Sequence, residues 1–180
     1  MIALAHMLGR AHNRAAVAGT ALVLAGLLFG CGAGTGPVHQ GQAAPVLAIT
    51  TRAGAPAALQ PAAGQSLWLV FWASWCYPCR AEWPGLNQAQ HDLADRGVRL
   101  VAISVNEPAS ALEQFLTEHA AAFEIARDPE GQAAARYGVV GFPTHVLIDG
   151  TGIVRAVVRG PLDGARARAL LQLGTPGLAH

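Results

Sequence analysis

Leu67-Trp68-Leu69-Val70-Phe71-Trp72 is an unbroken apolar run that ends shortly before Cys76-Tyr77-Pro78-Cys79. A strand with one wet face alternates apolar and polar residues; this run does not, so it predicts a strand buried on both faces. Such a strand needs a covering layer on each side, which limits the chain to a sheet with helices on both faces. The neighbouring patterns agree. Tyr77 to Ala94 has helical periodicity, Val98 to Ser104 reads as the next strand, and Ala109 to His119 as a second helix. Phe123 to Ile125 reads as a short strand and Glu130 to Tyr137 as another helix. Thr144–Ile148 and Ile153–Val158 are strands split by Asp149-Gly150-Thr151-Gly152, a hairpin signal. A helix over Asp163 to Leu173 closes the chain, and Pro45–Ile49 with Ala57–Leu59 predicts an N-terminal hairpin. Alanine inflates the hydrophobic fraction of 52%, so Leu, Val, Ile and the aromatics define the expected core. Trp68, Trp72 and Trp83 belong to it.

The formal charge is +1, all 12 basic residues are arginine, and no block of like charge occurs. Neither a nucleic-acid groove nor a polybasic membrane patch is indicated. With 180 residues the chain has room for a leader and one domain with a single substantial core. Arg10 and Arg14 precede an uncharged run from Ala15 to Phe29, the layout of a signal peptide over residues 1–30. That run is shorter than the ~20 residues of a comfortable membrane span, which favours a leader over a permanent anchor. Leu28-Phe29-Gly30-Cys31 resembles a bacterial lipoprotein box, although Phe29 is bulkier than the residue usual there, and makes Cys31 a lipidation site. Ordinary cleavage and an uncleaved anchor are the other readings. Residues 31–44 are Gly- and Ala-rich without hydrophobic period and read as a flexible tether, with the folded domain over residues 45–175.

Three cysteines in an exported chain leave one unpaired, and a lipidated Cys31 leaves Cys76 and Cys79 as an isolated couple. As a staple, a disulfide closing so short a loop would constrain little chain entropy. A metal site needs more ligands; there is no second C-x-x-C, and His91, His119 and His145 are scattered. A redox couple fits better. Cys76 lies where strand gives way to helix, so unpaired N–H groups and the helix dipole favour its thiolate and make it the attacking sulfur. Cys79, one turn in, is the resolving thiol, and Pro78 restricts the loop between them. Glu82 follows Cys79 by one helical step on the same face, where a carboxylate can take or return the Cys79 proton; an ordinary solvated helix glutamate is the plainer reading.

Phe71-Trp72-Ala73-Ser74-Trp75-Cys76-Tyr77-Pro78-Cys79, followed downstream by Tyr137-Gly138-Val139-Val140-Gly141-Phe142-Pro143-Thr144, resembles the membrane-tethered thioredoxin-like proteins of the TlpA/ResA/CcmG group over Pro45 to Leu173. The resemblance implies a thioredoxin-like α/β fold, with a mixed central sheet, helices on both faces, the N-terminal hairpin and a helix–strand insert between Asn106 and Asp128. It implies a cis peptide before Pro143, packed against the disulfide, with residue 142 offering its backbone to a bound chain. Phe142 is large for that position and would restrict which substrates fit. Trp75, Tyr77, Pro78, Phe142, Pro143 and Thr144 form the expected substrate-binding set. The group's C-x-x-C-x-x-E acid coincides with Glu82, whereas the buried aspartate of thioredoxin maps to Val70 here.

The function so implied is an extracytoplasmic thiol:disulfide oxidoreductase, tethered on the periplasmic side of a membrane. It reduces disulfides of exported proteins, for instance apocytochrome c during cytochrome c maturation, with electrons from a membrane thiol donor. No cofactor beyond the Cys76–Cys79 pair and no metal is expected, and the chain is expected to be a monomer. An oxidant that introduces disulfides and a copper metallochaperone using the same thiols are the alternatives.

Overall fold

A computed structural model describes residues 37–162 together with Arg166, Ala169 and Leu170. The expected leader, Cys31, the first part of the tether and most of the expected closing helix lie outside the described residues. Arg166, Ala169 and Leu170 are themselves helical.

The elements run β1 (Leu47–Thr51), β2 (Pro56–Leu59), β3 (Ser66–Trp72), α1 (Tyr77–Ala94), β4 (Val98–Val105), α2 (Ala109–Glu118), β5 (Glu124–Asp128), α3 (Gln132–Arg136), β6 (Thr144–Ile148) and β7 (Val154–Arg159). The strands form one sheet of order β2-β1-β5-β4-β3-β6-β7. β3, β4 and β5 are parallel; β6 and β7 and the β1–β2 hairpin run antiparallel to their neighbours. The central strand β3 is buried at every position, as its unbroken apolar run requires. Its side chains alternate between two cores. Trp68, Val70 and Trp72 face Trp83, Leu86, Ala89 and Leu93 of α1 and Leu112, Phe115 and Leu116 of α2. Leu67, Leu69 and Phe71 face Ala133 and Ala134 of α3 and the buried ring of Tyr137. Helices therefore cover both faces, and α2 with β5 forms the helix–strand insert. Helix α1 continues through Pro84.

Several boundaries differ from the sequence reading, three of them for a plain physical reason. The helix expected over Glu130 to Tyr137 is reduced to Gln132–Arg136 because Gly131, at φ 70°, occupies its N-cap. The strand expected at Phe123–Ile125 runs to Asp128, whose buried carboxylate accepts the Ala134 N–H at 2.8 Å. Residues 37–44, expected within the tether, are packed against the domain instead. Val38 is buried, the Gly41 N–H bonds the Val154 carbonyl at 2.8 Å, and the Ala44 N–H bonds the Gly152 carbonyl at 2.8 Å. Gly138 makes room for this segment: its φ is 63°, and a Cβ there would lie 2.6 Å from Cβ of Pro37. Tyr137 closes the arrangement by donating its hydroxyl to the Pro45 carbonyl at 3.0 Å, and burial pushes that hydroxyl's pKa up, so it stays a donor.

The β6–β7 turn is built around Asp149. Burial alone would raise its carboxyl, but donors from the Thr151 hydroxyl, the Ile153 N–H, Arg155 and the Thr151 N–H outweigh it and hold the pKa at about 2. This turn fixes the register of the strand that begins at Thr144, immediately after Pro143.

Candidate active site

β3 ends at Trp72, and the chain turns through Ala73-Ser74-Trp75 into the N-cap of α1, which is Cys76. Its Sγ accepts the Cys79 N–H at 3.3 Å, so one unpaired amide of the first helical turn already points at the sulfur. Cys76 and Cys79 are joined by a disulfide, with an S–S distance of 2.07 Å and Cα atoms 5.3 Å apart. The two sulfurs are not equivalent. Cys76 retains 5% of its surface against 1% for Cys79, and it borders a groove of about 530 Å³. A partner can reach Cys76 first, and Cys79 lies behind it.

That groove is lined by Trp75, Tyr77 and Pro78 on one side and by Val139 to Phe142 on the other. Trp75, Tyr77 and Val140 are exposed at 67%, 82% and 86%, an unusual degree of exposure for large apolar groups gathered at one place. The ring of Phe142 meets that of Trp75 at 5.9 Å. The Phe142–Pro143 peptide is cis. The expected substrate-binding set thus divides: Trp75, Tyr77, Pro78 and Phe142 line the groove, while Pro143 and Thr144 are buried behind it. Thr144 keeps 2% of its surface and donates its hydroxyl to the Gly141 carbonyl at 2.8 Å, so it shapes the loop and does not present a contact surface.

Glu82 is not a solvated helix residue. Its side chain is 5% exposed; Oε2 accepts the Leu162 N–H at 3.1 Å and lies 3.3 Å from Nε2 of His145, without the alignment of a hydrogen bond. His145 is buried in β6, and its Nδ1 accepts the indole N–H of Trp68 at 3.3 Å. Reasoning from sequence missed this histidine, because its spacing matches no ligand or catalytic pattern. The sole signal was its position two residues after Pro143, on the sheet face shared with Trp68.

A second missed residue is Glu107, which is 6% exposed. Its carboxylate accepts the Ser74 N–H at 3.1 and 3.2 Å, the Ser74 hydroxyl at 2.5 Å and the Ser104 hydroxyl at 2.5 Å. It thereby ties the end of β4 to the loop that delivers Cys76. Among the described residues no group of three or more His, Cys, Asp or Glu side chains converges as a metal site, and no helix is long and apolar enough to cross a membrane.

A disulfide at the start of a helix, a cis-proline loop beside it and a mixed sheet covered on both faces define a thioredoxin-fold thiol:disulfide oxidoreductase. Comparison with known proteins gives the family. The chain belongs to the AhpC/TSA family, whose model matches residues 40–157. Thiol-disulfide oxidoreductase ResA of Bacillus thuringiensis is 30% identical over 136 residues, covering 76% of this chain and 79% of the relative. A Chlorobium tepidum structure assigned as thiol:disulfide interchange protein DsbE is 36% identical, with TM-score 0.68 over 76% of this chain and 95% of that one. A secreted Mycobacterium tuberculosis disulfide oxidoreductase is 29% identical, with TM-score 0.58 over 68% and 95% of the two chains.

Proposed function

We propose that the chain reduces disulfides of exported proteins on the outer side of a bacterial membrane. The observation that carries the reading is the Cys76–Cys79 disulfide, with Cys76 at the helix N-cap and opening onto an apolar groove next to the Phe142–Pro143 loop. In the reduced protein the Cys76 thiolate attacks one sulfur of the substrate disulfide. A mixed disulfide forms, and the other substrate sulfur leaves with its electron pair. Cys79 then gives its proton to Glu82 and attacks Cys76 Sγ, releasing the second substrate thiolate. Two electrons pass to the substrate, and the Cys76–Cys79 disulfide remains for a membrane thiol donor to reduce.

Thiol–disulfide exchange is supported by the ResA relative, and reduction is the direction that the family resemblance favours. An extracytoplasmic site is supported by the leader-like residues 1–30 and by the secreted M. tuberculosis relative. Lipidation at Cys31 would hold the monomer at the membrane, and apocytochrome c is the substrate the resemblance favours.

The deciding measurement is the reduction potential of the Cys76–Cys79 couple. A value near thioredoxin's, about −270 mV, is expected; one near about −120 mV would reassign the protein as an oxidant. In cells, Cys79→Ser should accumulate mixed disulfides through Cys76 and Cys76→Ser should not. Capture by neither variant, with stoichiometric copper retained by the reduced wild type, would favour the metallochaperone. Cys31→Ala should release the domain from membranes.

A further inference from the structure

The buried polar pair beneath the disulfide contains one member that thiol exchange does not yet use. His145 and Glu82 face each other in a buried, largely apolar layer between α1 and the sheet, where an unemployed polar pair is costly. An indole N–H can only donate, so the Trp68 bond requires a bare Nδ1 on His145. The imidazole is then neutral, with its proton on Nε2, the nitrogen that faces Glu82. Protonating Nδ1 as well would set two N–H groups head to head in a dry site. Among the described residues Glu82, from α1, is the ionisable group against the ring. β3 presents Trp68 and Val70, β7 presents Ala156 and Val158, and Leu147, Leu162 and Leu170 line the adjoining cavity.

The two oxygens of Glu82 are in different situations. Oε2 takes the Leu162 N–H and faces His145, whereas Oε1 is buried and has no hydrogen-bond partner among the described residues. A buried carboxylate oxygen without a partner is expensive to keep. It is also the acceptor that a neighbouring thiol would need, and Glu82 is one helical step from Cys79.

We propose that His145 is a positioning residue for the resolving step: with its tautomer fixed by Trp68, its Nε2–H, 3.3 Å from Glu82 Oε2 and itself without a hydrogen-bond partner among the described residues, turns into line with that oxygen as the resolving step proceeds, holds it and leaves Oε1 to take the Cys79 proton. The proposal rests on the reading of the protein as a thiol exchanger. As Cys79 closes on Cys76, its proton passes to Oε1, the Cys76–Cys79 bond forms, and the substrate sulfur leaves with the electron pair of the broken mixed disulfide. The proton then leaves Glu82 through the groove beside Tyr77, Pro78 and Leu162, which borders the carboxylate.

The test has two arms on the full chain. In the first, ¹⁵N spectra of histidine-labelled protein, with His145 assigned through loss of its signals in His145→Gln, should show Nε2 protonated and Nδ1 bare at pH 7. The opposite tautomer, or an imidazolium, would overturn the proposal, and this readout needs no activity. In the second arm Cys76 carries a preformed mixed disulfide with thionitrobenzoate, and release of the dye reports closure by Cys79. His145→Leu should slow closure about tenfold, the equivalent of one charge-assisted hydrogen bond. His145→Gln, which restores an N–H donor, should recover most of that loss, and in a Glu82→Gln background His145→Leu should add little. An equal loss in both backgrounds, or no loss, would sink the role of His145. Failure of the wild type to release the dye would instead count against thiol exchange itself, whichever tautomer the spectra show.

Discussion

Replacing Glu107 with alanine is expected to destabilise the oxidised domain by ~3 kcal/mol and to loosen the loop that holds Cys76. Three donors converge on this carboxylate: the Ser74 N–H, the Ser74 hydroxyl and the Ser104 hydroxyl. A hydrogen bond to a charged group contributes roughly 1.5–3 kcal/mol net, so the three together gain on the order of 5–9 kcal/mol. That sum is an upper bound, because these net values already include the loss of hydration and are not additive when two of the three donors belong to one residue, Ser74. The hydroxyls can also turn to other partners in the alanine variant, whereas the Ser74 amide cannot and is left unpaired at a cost of about 1–3 kcal/mol. The expected loss is therefore ~3 kcal/mol, nearer the worth of one or two bonds than of three. Glu107→Gln keeps the shape and one acceptor oxygen, and one serine hydroxyl need only reverse, so its cost should be ~1 kcal/mol. Urea unfolding decides the matter: for m of about 2 kcal/mol/M, the alanine variant should lose ~1.5 M in midpoint at unchanged m. If alanine and glutamine cost the same, or if alanine stays within ~0.5 kcal/mol of wild type, the carboxylate does not hold this loop.

Three further outcomes follow from the packing and charge. Asp149, held at about 2, has a lowered carboxyl pKa, so it stabilises the native state by ~2 kcal/mol above pH 5 and loses that contribution as pH falls through about 4 toward 2. Urea midpoints of wild type and Asp149→Asn should therefore converge between pH 7 and pH 2.5, and a constant gap would contradict the assignment. Trp83→Ala should cost about 3–5 kcal/mol in the same assay, because Trp83 is 3% exposed, packs on Trp72, Phe115 and Phe123, and donates its indole N–H to the Ala120 carbonyl. Val140→Asp should leave stability within ~0.5 kcal/mol of wild type, since its side chain is in water. It should raise KM for a protein disulfide while leaving exchange with a small disulfide unchanged; equal effects on both would detach the groove from substrate binding.

What the sequence disclosed, and what it did not, divides along the range of the interactions. The β3 run and the limits of α1 are local facts of period and propensity and could be read, whereas the passage of that helix through Pro84 was implied only by the family resemblance. The redox pair was legible for the same reason, because Cys76 and Cys79 lie at one strand-to-helix junction. Thr144, expected in the substrate-binding set, is buried at the start of β6, and that burial is decided by how the sheet and loop pack, which no local pattern reports. Glu107 finds Ser74, and His145 finds Trp68, only through sheet pairings far apart in the chain. No short-range pattern reports those. Val38 was invisible in its Gly- and Ala-rich surroundings because the core cluster it joins is assembled from strands and helix residues far from it in the chain.

The register of β3 against β6 explains why the acid and the histidine meet where they do. Val70, which occupies the position of thioredoxin's buried aspartate, pairs directly with His145, so the central strand is apolar where an acid would otherwise stand. Glu82 enters the same layer from the other side, on α1. His145 is two residues after Pro143 and Glu82 three after Cys79, so their contact joins the two segments that must meet around the disulfide. A strand's side chains are fixed to its backbone, so a partner that shifts the Phe142–Pro143 loop and the start of β6 would also shift the imidazole against the Glu82 carboxylate. Stability alone cannot separate this linkage from simple packing, because leucine fills much of the same space as histidine. The N–H donor can, and for that reason recovery by glutamine carries more weight than loss by leucine.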